Sequence, residues 1–218
     1  MIHKEIAQLC LDAYLPGSET WRSNGDTEVL LRTIDQVHVL ATRGTEFGVK
    51  AIFIEGGWQD LLSDIRFVPW YDKRLGWGRK GFLRATQAIW PKIEEFILRP
   101  DTPIWLAGHS LGGAVSCYLA KFMIHYGKIP VGLTTFGCPK PAWGDLVKAL
   151  QVIKRQDHFV NHSDSVTLVP PSGDHPEPRR LLNGRGHKMS EYLAHVTNYQ
   201  PQVEYPQEVH VPQPSLLI

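Results

Sequence analysis

Neither sign of charge is in excess. The 23 Lys and Arg residues face 22 Asp and Glu, for a formal net charge of +1, so no whole-protein field draws nucleic acid, and no nucleic-acid motif is present. No apolar run is long enough to span a bilayer. The opening MIHKEIAQLCLDAYLPG interleaves charges with apolar residues, unlike the unbroken core of a signal peptide. Cysteine is scarce: Cys10, Cys117 and Cys138 cannot all pair within the chain, which favours a reducing compartment and excludes a disulfide scaffold. The expectation is a cytoplasmic chain without leader or transmembrane segment. Asp157, His158 and His162 are the nearest approach to a metal set. The two histidines would share a strand face, but no third ligand stands at a recognisable spacing, so neither metal nor cofactor is expected.

What remains is an ordinary globular composition. A chain of 218 residues, 43% hydrophobic, can bury one substantial core, and no repeat or flexible linker divides it. One domain is expected over residues 1–203. Half of the sixteen prolines lie from Pro170 onward, where regular structure should thin, with residues 204–218 a loosely held Pro-rich tail.

Periodicity supplies the elements. Ile6, Leu9, Cys10 and Ala13 mark an amphipathic helix over 3–14. Residues 28–34 and 37–42 read as a hairpin joined at Asp35 and Gln36. Residues 79–98 read as a helix kinked or restarted at Pro91. Strands at 103–107, 131–136 and 157–162 alternate with helices from Gly112 and over 142–150. Such alternation predicts a mostly parallel sheet covered by helices on both faces.

The chemistry centres on PIWLAGHSLGGAV, residues 103–115. Gly-x-Ser-x-Gly arises by accident about once in fifteen chains of this length. Here, however, it joins a short apolar strand to a helix. A sharp, strained turn between those elements projects a serine hydroxyl at the carboxyl end of the sheet, and Gly108 and Gly112 stand where side chains would collide. Ser110 is therefore a candidate nucleophile.

A serine needs a base, and the base an acid. Asp145, Asp157, Asp164 and Asp174 all follow Ser110. Asp164 is best placed, in a loop directly after a buried strand, with a simple turn-forming role as the alternative and Asp174 next in line. Two histidines lie late enough. On a helix begun near Lys188, Met189, Tyr192, Leu193 and Val196 form the buried stripe, leaving His187 free in the preceding loop and His195 beside the stripe. His187 is the favoured base and His195 the alternative. The backbone N–H of Leu111 is placed to donate to an oxyanion.

Read in order, ATRGTE, GWQDLLSDIRFVPW, GRKGFLRA, GHSLGGA, TTFGCPKPAWGD and FVNHSDSVTLVPP resemble the successive signatures of the class-three lipases, fungal triacylglycerol lipases and their bacterial, phage and plant relatives. The likeness runs from about residue 38 to 193, and HKMSEYL resembles the His-containing segment of bacterial and plant members. It implies a small α/β-hydrolase that splits acylglycerols or related lipidic esters through an acyl-enzyme, with Ser110 the nucleophile, Asp164 the acid, His187 the base and Thr45 the second oxyanion donor. A lipase-like interaction protein without catalysis, or an acyltransferase or amidase using the same triad, are the alternatives. The implied partner is a lipid ester, with transient contact at a lipid interface. For that contact, Lys73, Arg74, Arg79 and Lys80 stand among Trp70, Tyr71 and Trp77, and the apolar residues between Thr45 and Gly81, hinged at Gly56 and Gly57, are candidates for a movable cover. The six-cysteine pattern of many secreted fungal members is absent.

Overall fold

The computed structural model describes residues 2–23, 27–43 and 68–199. Its main sheet has seven strands in the order β1-β2-β3-β6-β7-β8-β9. These are β1 (Trp21–Arg22), β2 (Glu28–Ile34), β3 (Val37–Arg43), β6 (Ile104–His109), β7 (Gly132–Phe136), β8 (Gln156–Asn161) and β9 (Arg179–Leu182). The first three strands pair antiparallel, and every pairing from β3 to β9 is parallel. A separate hairpin joins β4 (Pro69–Asp72) to β5 (Gly76–Arg79). The helices are α1 (Ile2–Asp12), α2 (Lys80–Ile97), α3 (Leu111–His125), α4 (Gly144–Leu150) and α5 (Met189–Val196).

The two-residue period of the strands divides the core into two layers. Leu40 of β3 and Ile104 and Leu106 of β6 face a core shared with α2, α3 and α4. The intervening Val39, Ala41, Trp105 and Ala107 face the other, shared with α1 and α5. Every residue of β6 and β7 is buried, as expected of parallel strands covered on both sides. The arrangement is an α/β-hydrolase fold.

Most expected elements are found within a residue or two. The β2–β3 hairpin turns at Asp35 and Gln36, both at positive φ (47° and 64°), which gives the type I′ geometry that matches strand twist. Helix α3 stops at Gly127, whose φ is 81°. There the N–H of Lys128 bonds to Met123 O and that of Gly127 to Ile124 O, the paired bonds of a Schellman end.

Two expectations need correction. Helix α2 does not restart at Pro91 but runs through it, because Phe82, Leu83, Ile89 and Trp90 before it and Ile93 and Ile97 after it are buried in the same core. The proline-rich last quarter carries a strand, β9, that was not expected, beside the helix expected from near Lys188. The two-strand unit β4–β5 was not legible at all. The apolar residues from 44 to 67, the Gly56–Gly57 hinge and the tail 204–218 lie outside the described residues. Among those described, no helix is long and apolar enough to cross a membrane.

Candidate active site

Strand β6 delivers the chain to Ser110 at its carboxyl end, and α3 begins at the next residue. Ser110 has φ 57° and ψ −130°, a region L-residues avoid unless their surroundings impose it. The surroundings do so. The Ser110 N–H is bonded to Phe136 O of neighbouring β7 at 2.9 Å. A Cβ on Gly108 would stand 2.3 Å from Gly112 O, and one on Gly112 only 1.9 Å from Thr42 O at the end of β3. The two glycines thus allow the strand, the helix and β3 to meet closely enough to fold the serine outward.

Two further loops leave the same edge of the sheet. The one after β8 carries Asp164, and the one before α5 carries His187. Ser110 Oγ lies 2.7 Å from His187 Nε2, and His187 Nδ1 lies 2.7 Å from Asp164 Oδ2. Because a carboxylate only accepts, Nδ1 carries the proton and Nε2 is left to accept from the serine hydroxyl. The other carboxylate oxygen, Oδ1, accepts the Val166 N–H at 2.9 Å and caps a short 3-10 turn, Ser165–Leu168. One oxygen of Asp164 thus forms a turn and the other holds His187.

His187 is also held from behind. His109, buried next to Ser110, bonds through Nε2 to the backbone O of His187 at 2.7 Å and through Nδ1 to Tyr14 Oη at 2.8 Å. The carbonyl can only accept, so Nε2 bears the proton and Tyr14 donates to Nδ1. Burial, and next the adjacent His187, push His109 well below the ordinary histidine value, which keeps it neutral and fixes this tautomer. The loop before His187 is tied down by Asn161 Nδ2 to Gly186 O (3.1 Å) and Gly186 N to Ser163 Oγ (3.0 Å).

Other candidates lie elsewhere. His195, on α5, packs beside Gly184, where a Cβ would come within 2.8 Å of His195 Cδ2. Asp157 is buried and paired with Arg180 at 2.9 Å, Asp145 is exposed in the first turn of α4, and the Asp174 N–H bonds to Ala142 O. Leu111, first residue of α3, has its N–H at a helix start, where no intrahelical partner exists and the helix dipole is positive. Thr45 lies outside the described residues. His158 bonds to Thr135 Oγ1 at 2.9 Å, and no group of three or more His, Cys, Asp or Glu that could hold a metal occurs among the described residues. Arg79, expected on an interfacial surface, is 2% exposed, with its guanidinium over Trp143 at 4.3 Å and bonded to Ser172. It takes no part in an exposed basic patch.

A sequence profile for lipases of class 3 matches residues 27–173. The chain belongs to the class 3 lipase family. Solved structures of similar shape include a Rhizomucor miehei lipase complexed with its propeptide, with TM-score 0.65, 17% identity and coverage of 83% of this chain and 65% of that one. A triacylglycerol lipase described as having a serine-protease triad at its catalytic centre gives TM-score 0.63 and 19% identity, covering 78% of this chain and 74% of that one. The Yarrowia lipolytica LIP2 lipase gives 0.61 and 16%, with 84% and 79% covered. This class 3 lipase chain therefore spans slightly under two thirds of the first of these. A search of curated protein sequences finds no match.

Three residues of this cluster in the class 3 lipase chain escape sequence reasoning. Gly137, directly after β7, has φ 57°, and a Cβ there would lie 2.7 Å from Asp164 Oδ2 and 2.9 Å from His187 Nδ1. Its signal was the glycine ending a buried strand in TTFG. His109 stands between the expected strand, 103–107, and Ser110, with no role assigned to it from sequence. Tyr192 was assigned to the buried stripe of α5, where it is fully buried, but its hydroxyl also reaches the site.

Proposed function

We propose that the protein is a serine carboxylic-ester hydrolase that acts on acylglycerols or related lipidic esters. The observation that carries this reading is the unbroken chain Ser110 Oγ, His187, Asp164, with both links at 2.7 Å. Family membership supports the ester substrate and its lipidic character.

In this mechanism Ser110 Oγ attacks the ester carbonyl carbon while its proton passes to His187 Nε2. Asp164 stabilises the imidazolium so formed. The carbonyl oxygen, now an oxyanion, takes hydrogen bonds from the Leu111 N–H at the positive end of α3 and from Thr45, which follows the last described residue of β3 by two positions. Collapse breaks the bond to the alcohol oxygen, which leaves with the proton from Nε2, and the acyl group remains on Ser110. Water then gives a proton to His187 and attacks the acyl carbon. The acid departs, and Ser110 recovers its proton.

A fluorophosphonate probe tests the reading. The expected result is stoichiometric modification of Ser110 in the native chain and none in Ser110→Ala. A native chain that resists the probe contradicts it and favours an interaction protein on a lipase fold. A chain-length series of nitrophenyl esters, assayed above and below the solubility limit, then tests the lipidic part. Rates should rise with acyl length and with the appearance of an interface. Preferential turnover of acyl amides, or transfer to an added alcohol in place of water, would replace hydrolysis of esters by one of the related acyl chemistries.

A further inference from the structure

Asp164 Oδ2 accepts two hydrogen bonds, one from His187 Nδ1 at 2.7 Å and one from the Tyr192 hydroxyl at 2.5 Å. The Tyr192 oxygen in turn accepts the Asn161 N–H, at the end of β8, at 3.1 Å. The phenol is fully buried among Phe136, His109 and their neighbours, edge-on to both rings. Burial, and next the charge of Asp164, push its ionisation above the ordinary tyrosine range, so it is an O–H donor at every working pH. A ring that only filled the core would be served as well by phenylalanine.

We propose that Tyr192 is a positioning residue for the acid, and that its hydroxyl sets how strongly Asp164 holds a proton on His187. The proposal rests on reading Ser110, His187 and Asp164 as the catalytic machinery. A carboxylate oxygen with a single donor directs its charge to that donor. A second donor on the same oxygen draws part of the charge away and fixes the carboxylate plane. The imidazolium is then held less tightly than by an unshared carboxylate, and the free base, the form that can accept the Ser110 proton, persists to lower pH.

Among the described residues, the groups that face His187 are Ser110, Asp164 and the neutral His109, whose ring lies 4.6 Å away between centroids. Asp164 is the charged one. Tyr192 is the part of the surroundings of Asp164 that can be altered without touching a reacting atom.

The test is the pH dependence of fluorophosphonate labelling of Ser110 in the full chain. Tyr192→Phe should move the acid limb of the profile to higher pH by about half a unit or more and lower the plateau rate about tenfold. Fluorotyrosine at position 192 keeps the shape and donates more strongly, and should move the limb the other way. An unmoved limb in folded Tyr192→Phe overturns the proposal and leaves the hydrolase reading intact. Should that variant fail to fold, an unmoved limb with fluorotyrosine overturns it equally. A native chain that is not labelled at Ser110 overturns both.

Discussion

The carboxyl edge of β6, β7 and β8 and the β4–β5 hairpin both concentrate aromatic and polar side chains, but they are held in opposite ways. At the edge, the polar atoms of Ser110, His187, Asp164 and Tyr192 are joined in series, and His109 and Gly137 fit against them from either side. On the hairpin, Trp70, Tyr71 and Trp77 are 46%, 57% and 51% exposed, with Lys80 over Trp70 and Tyr71 edge-on to Trp77. The first region is over-determined, so that a strained serine and a shared carboxylate persist. In the second, about half of each residue is open to solvent, and substitution should be tolerated. On the proposed function, replacement at the edge should stop chemistry and replacement on the hairpin should not.

The largest expected effect is at the acid. Asp164→Asn leaves the shape but removes the charge that stabilises the imidazolium, and kcat should fall by roughly a thousandfold or more with KM little changed. Steady-state kinetics on a soluble ester checks it. Gly137→Ala comes next. Its Cβ would press on Asp164 Oδ2 and His187 Nδ1 while the backbone stays at positive φ, so activity should fall about a hundredfold, with about 1 kcal/mol or more lost in stability. A fully active Gly137→Ala would show that the edge is looser than its contacts imply.

Stability against pH gives a third contrast. Burial, and next the neighbouring His175, lower His158 from 6.5 to about 3. Since its folded value is depressed, the unfolded chain takes up a proton that the folded one refuses. The stabilisation is therefore complete above about pH 6.5 and is lost as pH falls toward 3, at up to about 1.4 kcal/mol per pH unit. His109 is shifted the same way. Tm should drop across this window, and His158→Gln should make the drop shallower. The smallest effect belongs to the hairpin: Trp77→Ala should change stability by less than about 1 kcal/mol and leave turnover of a soluble ester unchanged. A large loss there would mean that the hairpin supports the edge.

The sequence made much of this legible where one local rule decides the outcome. The short unbroken apolar run of β6 marked a buried strand, the glycines around Ser110 marked the elbow, and the stripe of α5 left His187 in the loop from which it reaches the serine. Features that depend on residues distant in the chain were hidden. Pro91 looked like a break because the shared core on both sides of it is a tertiary fact. Strand β9 gains its order by pairing with β8, and β4–β5 has too few buried side chains for alternation to stand out. Tyr192 has one body and two roles: its ring matches the apolar stripe, and nothing in the stripe reveals what its hydroxyl touches. The three cysteines are free and buried.

The central claim is that His187, and not the other late histidine, activates Ser110. Mapping the fluorophosphonate adduct by mass spectrometry in the native chain, His187→Gln and His195→Gln tests it most directly. The account predicts an adduct on Ser110 in the native chain, a normal rate of labelling in His195→Gln, and loss of labelling in His187→Gln. Labelling that survives in His187→Gln and disappears in His195→Gln would contradict it.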